Sequence, residues 1–120
     1  MRILIVEDGI HVARLLAECV RLQGHEAIVA SSGREGLSHL IQGAPDAVFL
    51  DIVMPEVNGV DVLRRIREMH PGLPVIVITG SASPQEIEEV RRLGVTEVIE
   101  KPFALKQLDQ AMKNLLSGTV

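Results

Sequence analysis

At 120 residues, 47% of them apolar and 23% charged, the chain is the size of one domain, with the composition of a globular protein rather than a disordered one. A formal net charge of −4, the lack of any basic run, and two Phe with no Tyr or Trp argue against a nucleic-acid surface. A lone cysteine, Cys19, excludes an internal disulfide and offers no metal-site spacing.

In chain order, Ile3-Leu4-Ile5-Val6 reads as a strand. Glu7-Asp8 interrupts it too soon for a signal peptide or a membrane span, so a cytoplasmic protein with no membrane contact is expected. A helix from about Ile10 to Leu22 follows, with Val12, Leu15, Leu16, Cys19 and Val20 on one face and Gly24 as its stop; Cys19 is then a buried, inert thiol. Glu26 to Ala30 is a half-exposed second strand. Ser32 caps a second helix whose apolar face is Leu37, Leu40 and Ile41, closed at Gly43.

The third strand, Asp46 to Asp51, is an apolar run with a carboxylate at its far end, bounded by Pro45 and Pro55; such a run is buried on both faces. Asn58 caps a helix carrying Val62, Leu63, Ile66 and Met69, which ends before His70-Pro71-Gly72. Pro74 to Thr79 is the fourth and most apolar strand. Ser83-Pro84 with Glu86 is a capping box opening a helix to Leu93, anchored only by Ile87, Val90 and Leu93 and so the least firmly docked. Val95 to Glu100 is the fifth strand, and Leu105 to Leu116 a last helix with Leu108, Met112 and Leu115 inward.

No linker composition or solenoid repeat divides the chain, so one domain over 1–120 is expected. Strand–helix alternation five times over predicts an α/β fold with right-handed crossovers: a flavodoxin-like doubly wound parallel sheet, order 2-1-3-4-5, in a three-layer α/β/α sandwich. Ligands in such folds sit outside the carboxyl ends of the strands. There the sequence gathers Glu7-Asp8, Asp51, Thr79-Gly80-Ser81 and Lys101-Pro102. Each has a bland reading as a turn, cap or surface residue, but four such readings at neighbouring strand ends are far less probable together. Crowded carboxylates repel, and a hard divalent cation such as Mg²⁺ relieves them. Lys101 can pair with Asp51 or clamp an anion, and Asp51 is placed to attack phosphorus. From the residues alone, a Mg²⁺-dependent aspartyl phosphate and a simple metal site both stay open. The four histidines, His11, His25, His39 and His70, have no ligand spacing.

The chain resembles, end to end, the receiver domains of two-component response regulators. The motifs that carry this are Ile5-Val6-Glu7-Asp8, Leu50-Asp51-Ile52-Val53-Met54-Pro55 with Asn58-Gly59, Ile78-Thr79-Gly80 and Lys101-Pro102-Phe103. The resemblance implies a signalling phosphoacceptor rather than an enzyme with a substrate of its own. Asp51 would take a phosphoryl group from the phosphohistidine of a sensor histidine kinase or phosphotransfer protein. Asp8, Asp51 and the Val53 main-chain carbonyl would hold Mg²⁺ (or Mn²⁺), with Glu7 acting through water. Thr79, Lys101 and the N–H groups of Val53 and Gly80 would bind the phosphoryl oxygens, and the Lys101–Pro102 bond would be cis.

The face made by the fourth helix, fifth strand and fifth helix would then meet an output domain, a downstream protein or, in a homodimer, a second copy. One departure is Val98, which stands where the family carries a switching aromatic ring. Another is Gly9, where another polar residue is common. The chain is then a stand-alone receiver or the first part of a longer regulator. Flavodoxin chemistry is disfavoured by carboxylates where a phosphate must sit, an aspartyl phosphohydrolase by Val53 in place of a general acid, and dinucleotide binding by the missing glycine fingerprint. The rival from another class is a phosphorylation-independent interaction module.

Overall fold

A computed structural model describes residues 1–54 and 57–116. It contains β1 (Arg2–Val6), α1 (Ile10–Leu22), β2 (Glu26–Ala30), α2 (Gly33–Gln42), β3 (Ala47–Asp51), α3 (Gly59–Met69), β4 (Val75–Thr79), α4 (Pro84–Leu93), β5 (Glu97–Glu100) and α5 (Leu105–Leu116). The strands form one parallel sheet in the order β2-β1-β3-β4-β5, the expected doubly wound arrangement.

Every residue of β3 and β4 is buried, as their unbroken apolar runs require of strands covered on both faces, whereas the edge strand β2 is half exposed. One face of the sheet packs Leu4, Val6, Leu50 and Val77 against Val62, Leu63 and Ile66 of α3, Leu40 of α2 and Val90 of α4. The other packs Ile3, Ile5, Phe49 and Ile78 against Leu16, Ala17 and Val20 of α1 and Leu108, Met112 and Leu115 of α5.

The helix starts follow local chemistry. The Ser32 side chain accepts from Glu35 N–H and that of Asn58 from Val60 N–H, while Ser83 and Glu86 form the reciprocal capping box. Gly24, just beyond α1, has φ +85°, a left-handed turn that a side chain would strain. The expected stop falls there.

Three expectations need correction. Leu15 and Ile41 were placed on inner faces, but both are exposed, Ile41 at 69%. Small residues take the inner places instead: Ala13 and Ala17 on α1, and Gly33 and Gly36 on α2. A Cβ on Gly36 would come within 2.8 Å of Val6 Cγ2, so α2 approaches β1 along a face that hydrophobicity alone does not mark. Cys19 is only partly buried; burial comes first, then Asp109 and Glu18, in pushing its thiol pKa up, which keeps it protonated and inert. β4 and β5 begin at Val75 and Glu97 rather than Pro74 and Val95, and Pro74, with no N–H, contributes only its carbonyl, to Val48 N–H. Pro55, expected to end β3 pairing, lies outside the described residues.

Candidate functional site: an acidic pocket at the strand ends

Because β1 and β3 are neighbours, the residues leaving them face each other. Asp51 is the last residue of β3, and Glu7 and Asp8 follow β1 directly. Glu7, Asp51 and Thr79 are the buried polar side chains among the described residues, at 2%, 3% and 3% exposure. Asp8 is exposed at the pocket mouth. One carboxylate oxygen from each of Glu7, Asp8 and Asp51 lies within 4.8 Å of the others.

Lys101, one residue past β5, reaches into this cluster. Its Nζ stands 3.1 Å from Asp51 Oδ2 and 3.0 Å from Glu7 Oε1. The Asp51 contact is an aligned hydrogen bond; the Glu7 contact is ionic but off the line of one, leaving Glu7 Oε1 buried without a proper donor. The other Asp51 oxygen, Oδ1, accepts from Val53 N–H at 2.9 Å. Thr79 Oγ1 accepts from Ala82 N–H at 3.1 Å, so the hydroxyl is tied to the loop that enters α4. Gly80 is exposed; a Cβ there would sit 3.5 Å from Lys101 Cδ, so this loop runs along the lysine stem. The Lys101–Pro102 bond is cis. Val98 is partly buried and packs on the apolar cluster that includes Ile87, Val90 and Leu93 of α4.

Glu7, expected to act through water, is as deeply buried as Asp51 and shares its ammonium partner. Gly9 explains part of this. Its N–H donates to Glu7 Oε2 at 2.9 Å, and a Cβ at that position would stand 3.2 Å from the same oxygen. Glycine thus lets the chain fold back onto the carboxylate, a relation with no signature in the sequence.

Burial is the first cause raising the Glu7 pKa above its ordinary 4.5; the Gly9 hydrogen bond and the close Lys101 ammonium oppose it, and the Asp51 charge adds to it. For Lys101, burial lowers the pKa but is outweighed by the close Glu7 and Asp51 carboxylates, so the ammonium is held above its ordinary 10.5. The folded protein therefore binds the Glu7 proton more tightly than the unfolded chain does. The corresponding stability is present below pH 4.5 and is lost as pH rises through the folded-state value. Relative to wild type, Glu7→Gln should gain stability as pH rises from 4.5 to 7 without added metal, measured by urea unfolding at the two pH values. A difference that shrinks over that range would contradict the burial argument.

All-oxygen donors, several of them charged, suit a hard cation, and the under-satisfied buried Glu7 Oε1 is what a site built around one leaves when described without it. The pocket's donor set therefore fits Mg²⁺.

The family model of the response regulator receiver domain matches residues 3–113. The chain belongs to the response regulator receiver family. It is 35% identical over 119 residues to Response regulator MprA of Mycolicibacterium vanbaalenii, covering 99% of this chain and 52% of that protein. It is 36% identical over 115 residues to Regulatory protein AtoC of Escherichia coli, covering 96% of this chain and 25% of that one. The chain thus spans about half the length or less of these curated relatives. A solved CheY-like receiver domain protein from Methanospirillum hungatei superposes with a TM-score of 0.92 at 26% identity, covering 98% of this chain and 94% of that one.

Receiver domains are signalling modules that bind Mg²⁺ at an acidic pocket and pair with histidine kinases and output domains. In this receiver domain the cluster of Glu7, Asp8 and Asp51 is the group that could hold the metal. Among the described residues no helix is long and apolar enough to cross a membrane.

Proposed function

We propose that this receiver domain accepts a phosphoryl group on Asp51 from the phosphohistidine of a partner kinase or phosphotransfer protein. One observation carries the reading. The Asp51 carboxylate is buried, yet it is held between the Lys101 ammonium and the Val53 N–H, beside the Glu7 and Asp8 oxygens. A carboxylate oxygen attacks phosphorus, the P–N bond to histidine breaks, and the electron pair leaves with the imidazole. Asp8, Asp51 and the Val53 carbonyl would hold Mg²⁺ or Mn²⁺, with Glu7 beside them acting through water. The cation supplies charge neutralisation for the incoming anion.

As the phosphoryl group arrives, Lys101 and the Val53 N–H turn from carboxylate donors into phosphoryl donors, and the Gly80 N–H joins them. Thr79 can donate its hydroxyl hydrogen to the same group, and moving to do so weakens its bond from Ala82 N–H. Ile10, Val53 and Leu105, exposed at 64%, 40% and 55%, stand at this end of the sheet and suit the apolar flank of a kinase helix.

The loop into α4, α4 itself and the partly buried Val98 then form the route to the α4–β5–α5 face. Valine is too short to swing as an aromatic ring does, so Thr79 and Ala82 carry the coupling. Bulky Val53, next to where water would enter, slows loss of the phosphoryl group.

Incubation with acetyl phosphate and Mg²⁺ tests the reading. A mass gain of one phosphoryl group, absent without Mg²⁺ and absent in Asp51→Asn, is expected. No gain in the wild type would instead favour a phosphorylation-independent interaction module.

A further inference from the structure

Among the described residues, one side chain supplies the hydrogen bonds that tie the far end of α4, away from the acidic pocket, to another element. Arg67, in the last turn of α3, donates from Nη2 to Gly94 O at 2.6 Å and from Nε to Gly94 O at 3.0 Å and Leu93 O at 3.2 Å. Its Nη1 donates to Leu73 O at 2.7 Å and His70 O at 3.4 Å. One guanidinium thus satisfies the last carbonyl of α4 and that of Gly94 just beyond it, bonds to the loop that leaves α3, and places positive charge at the negative end of the α4 dipole. Burial lowers its pKa without threatening its charge.

The end of α4 near the pocket is held differently. Its capping box is internal to the segment 83–86, and the tie from this loop to the sheet is the Ala82 N–H donating to Thr79 Oγ1. Between the two ends, Val90 is the fully buried anchor, with Ile87 and Leu93 partly buried. Among the described residues, α4 is also tied by an ion pair of 3.5 Å from Arg64 to Glu89; with the arginine half exposed, that pair is worth little.

We propose that Arg67 is the pivot of α4, so that withdrawal of the Thr79 hydroxyl frees the pocket end of the helix while its far end stays fixed to α3. The inference deepens the phosphoacceptor reading, since it names how the same site would move its output face. Its mechanical core is separable, because Thr79→Val removes the acceptor for Ala82 N–H with no phosphorylation. Arg67 touches none of the reacting atoms and acts as a positioning residue. A fixed far end turns a small displacement at Ala82 into a tilt of the helix instead of its release, which preserves a defined face for a partner.

Amide hydrogen exchange along the full chain tests this, with α1 and α5 as internal references. In Thr79→Val, exchange at residues 87–89 should quicken about tenfold, while residues 91–94 stay within about twofold of wild type. Adding Arg67→Gln should extend the acceleration through 91–94, and Arg67→Lys, which keeps the charge but loses the fork, should fall between. Arg67→Lys is also the variant that keeps the test valid if Arg67→Gln unfolds. Uniform acceleration along α4 in Thr79→Val, or unchanged exchange at 91–94 in Arg67→Lys, would overturn the pivot.

Acetyl phosphate with Mg²⁺ on wild type should reproduce the graded pattern. A mass gain with uniform release along α4 sinks the pivot and leaves the phosphoacceptor reading intact. No mass gain together with graded release in Thr79→Val does the reverse.

Discussion

Lys101→Met should cost about 3 kcal/mol of stability at pH 7 without added metal, the low end of what removing one partner of a buried ion pair costs. The low end applies because the lysine side chain keeps 25% exposure while the Glu7 and Asp51 side chains keep 2% each. Methionine preserves most of the stem that runs beside Gly80, so the loss measures charge rather than packing. Two buried carboxylates would then face each other with only the Gly9 and Val53 N–H groups to hold them. The deficit should shrink as pH falls toward 4.5, because burial raises the Glu7 pKa and favours its protonated form, and should shrink at pH 7 on addition of Mg²⁺. Urea unfolding at both pH values, with and without Mg²⁺, checks this. A deficit independent of pH and metal would mean that Lys101 contributes by packing alone.

Gly59→Ala should destabilise by about 3 kcal/mol or more, at the severe end of overpacking. A Cβ at Gly59 would fall on the Ile52 main chain, 2.6 Å from both its carbonyl carbon and its oxygen. No rotamer change relieves a clash with backbone. The Gly59 N–H also donates to Ile52 O at 3.1 Å, so the two segments cannot part without losing that bond. Ile52 lies between Asp51 and Val53, and displacing it would misplace the Val53 N–H that orients Asp51 Oδ1. Phosphoryl uptake should therefore fall along with stability. Gly80→Ala is the contrast. Its Cβ would meet the flexible Lys101 stem at ordinary contact distance, and a change within about 0.5 kcal/mol is expected from the urea midpoint. Equal effects at the two glycines would refute the steric account.

The two variants bracket what could be read in advance. The glycine after Asn58 was visible as part of a motif, but its reason, an approach of α3's first residue onto the strand end, appears only when the chain is folded. The lysine was expected to meet Asp51 and does. Its second partner, Glu7, was not expected, because the depth of a carboxylate depends on how the next residues turn, here at Gly9. The tie between Thr79 and Ala82 and the grip of Arg67 on α4 also went unread. A basic residue in a last helical turn hints at carbonyl capping, but not at the capping of a second helix 26 and 27 residues away.

What the chain alone determined is what depends on neighbours in sequence. The unbroken apolar runs of β3 and β4, the caps at Ser32, Asn58 and Ser83, and the strand–helix alternation all express preferences that act within a few residues; the caps are found where they were expected, and the strands begin within two residues of their expected starts. Alternation in turn admits few topologies, so the sheet order followed as well. The tertiary structure alone decided which face of α1 and α2 turns inward, and how Glu7, Asp51, Lys101 and Thr79 divide their hydrogen bonds. Those outcomes depend on close approach between distant segments, where a missing side chain at Gly9, Gly36 or Gly59 matters as much as any side chain present.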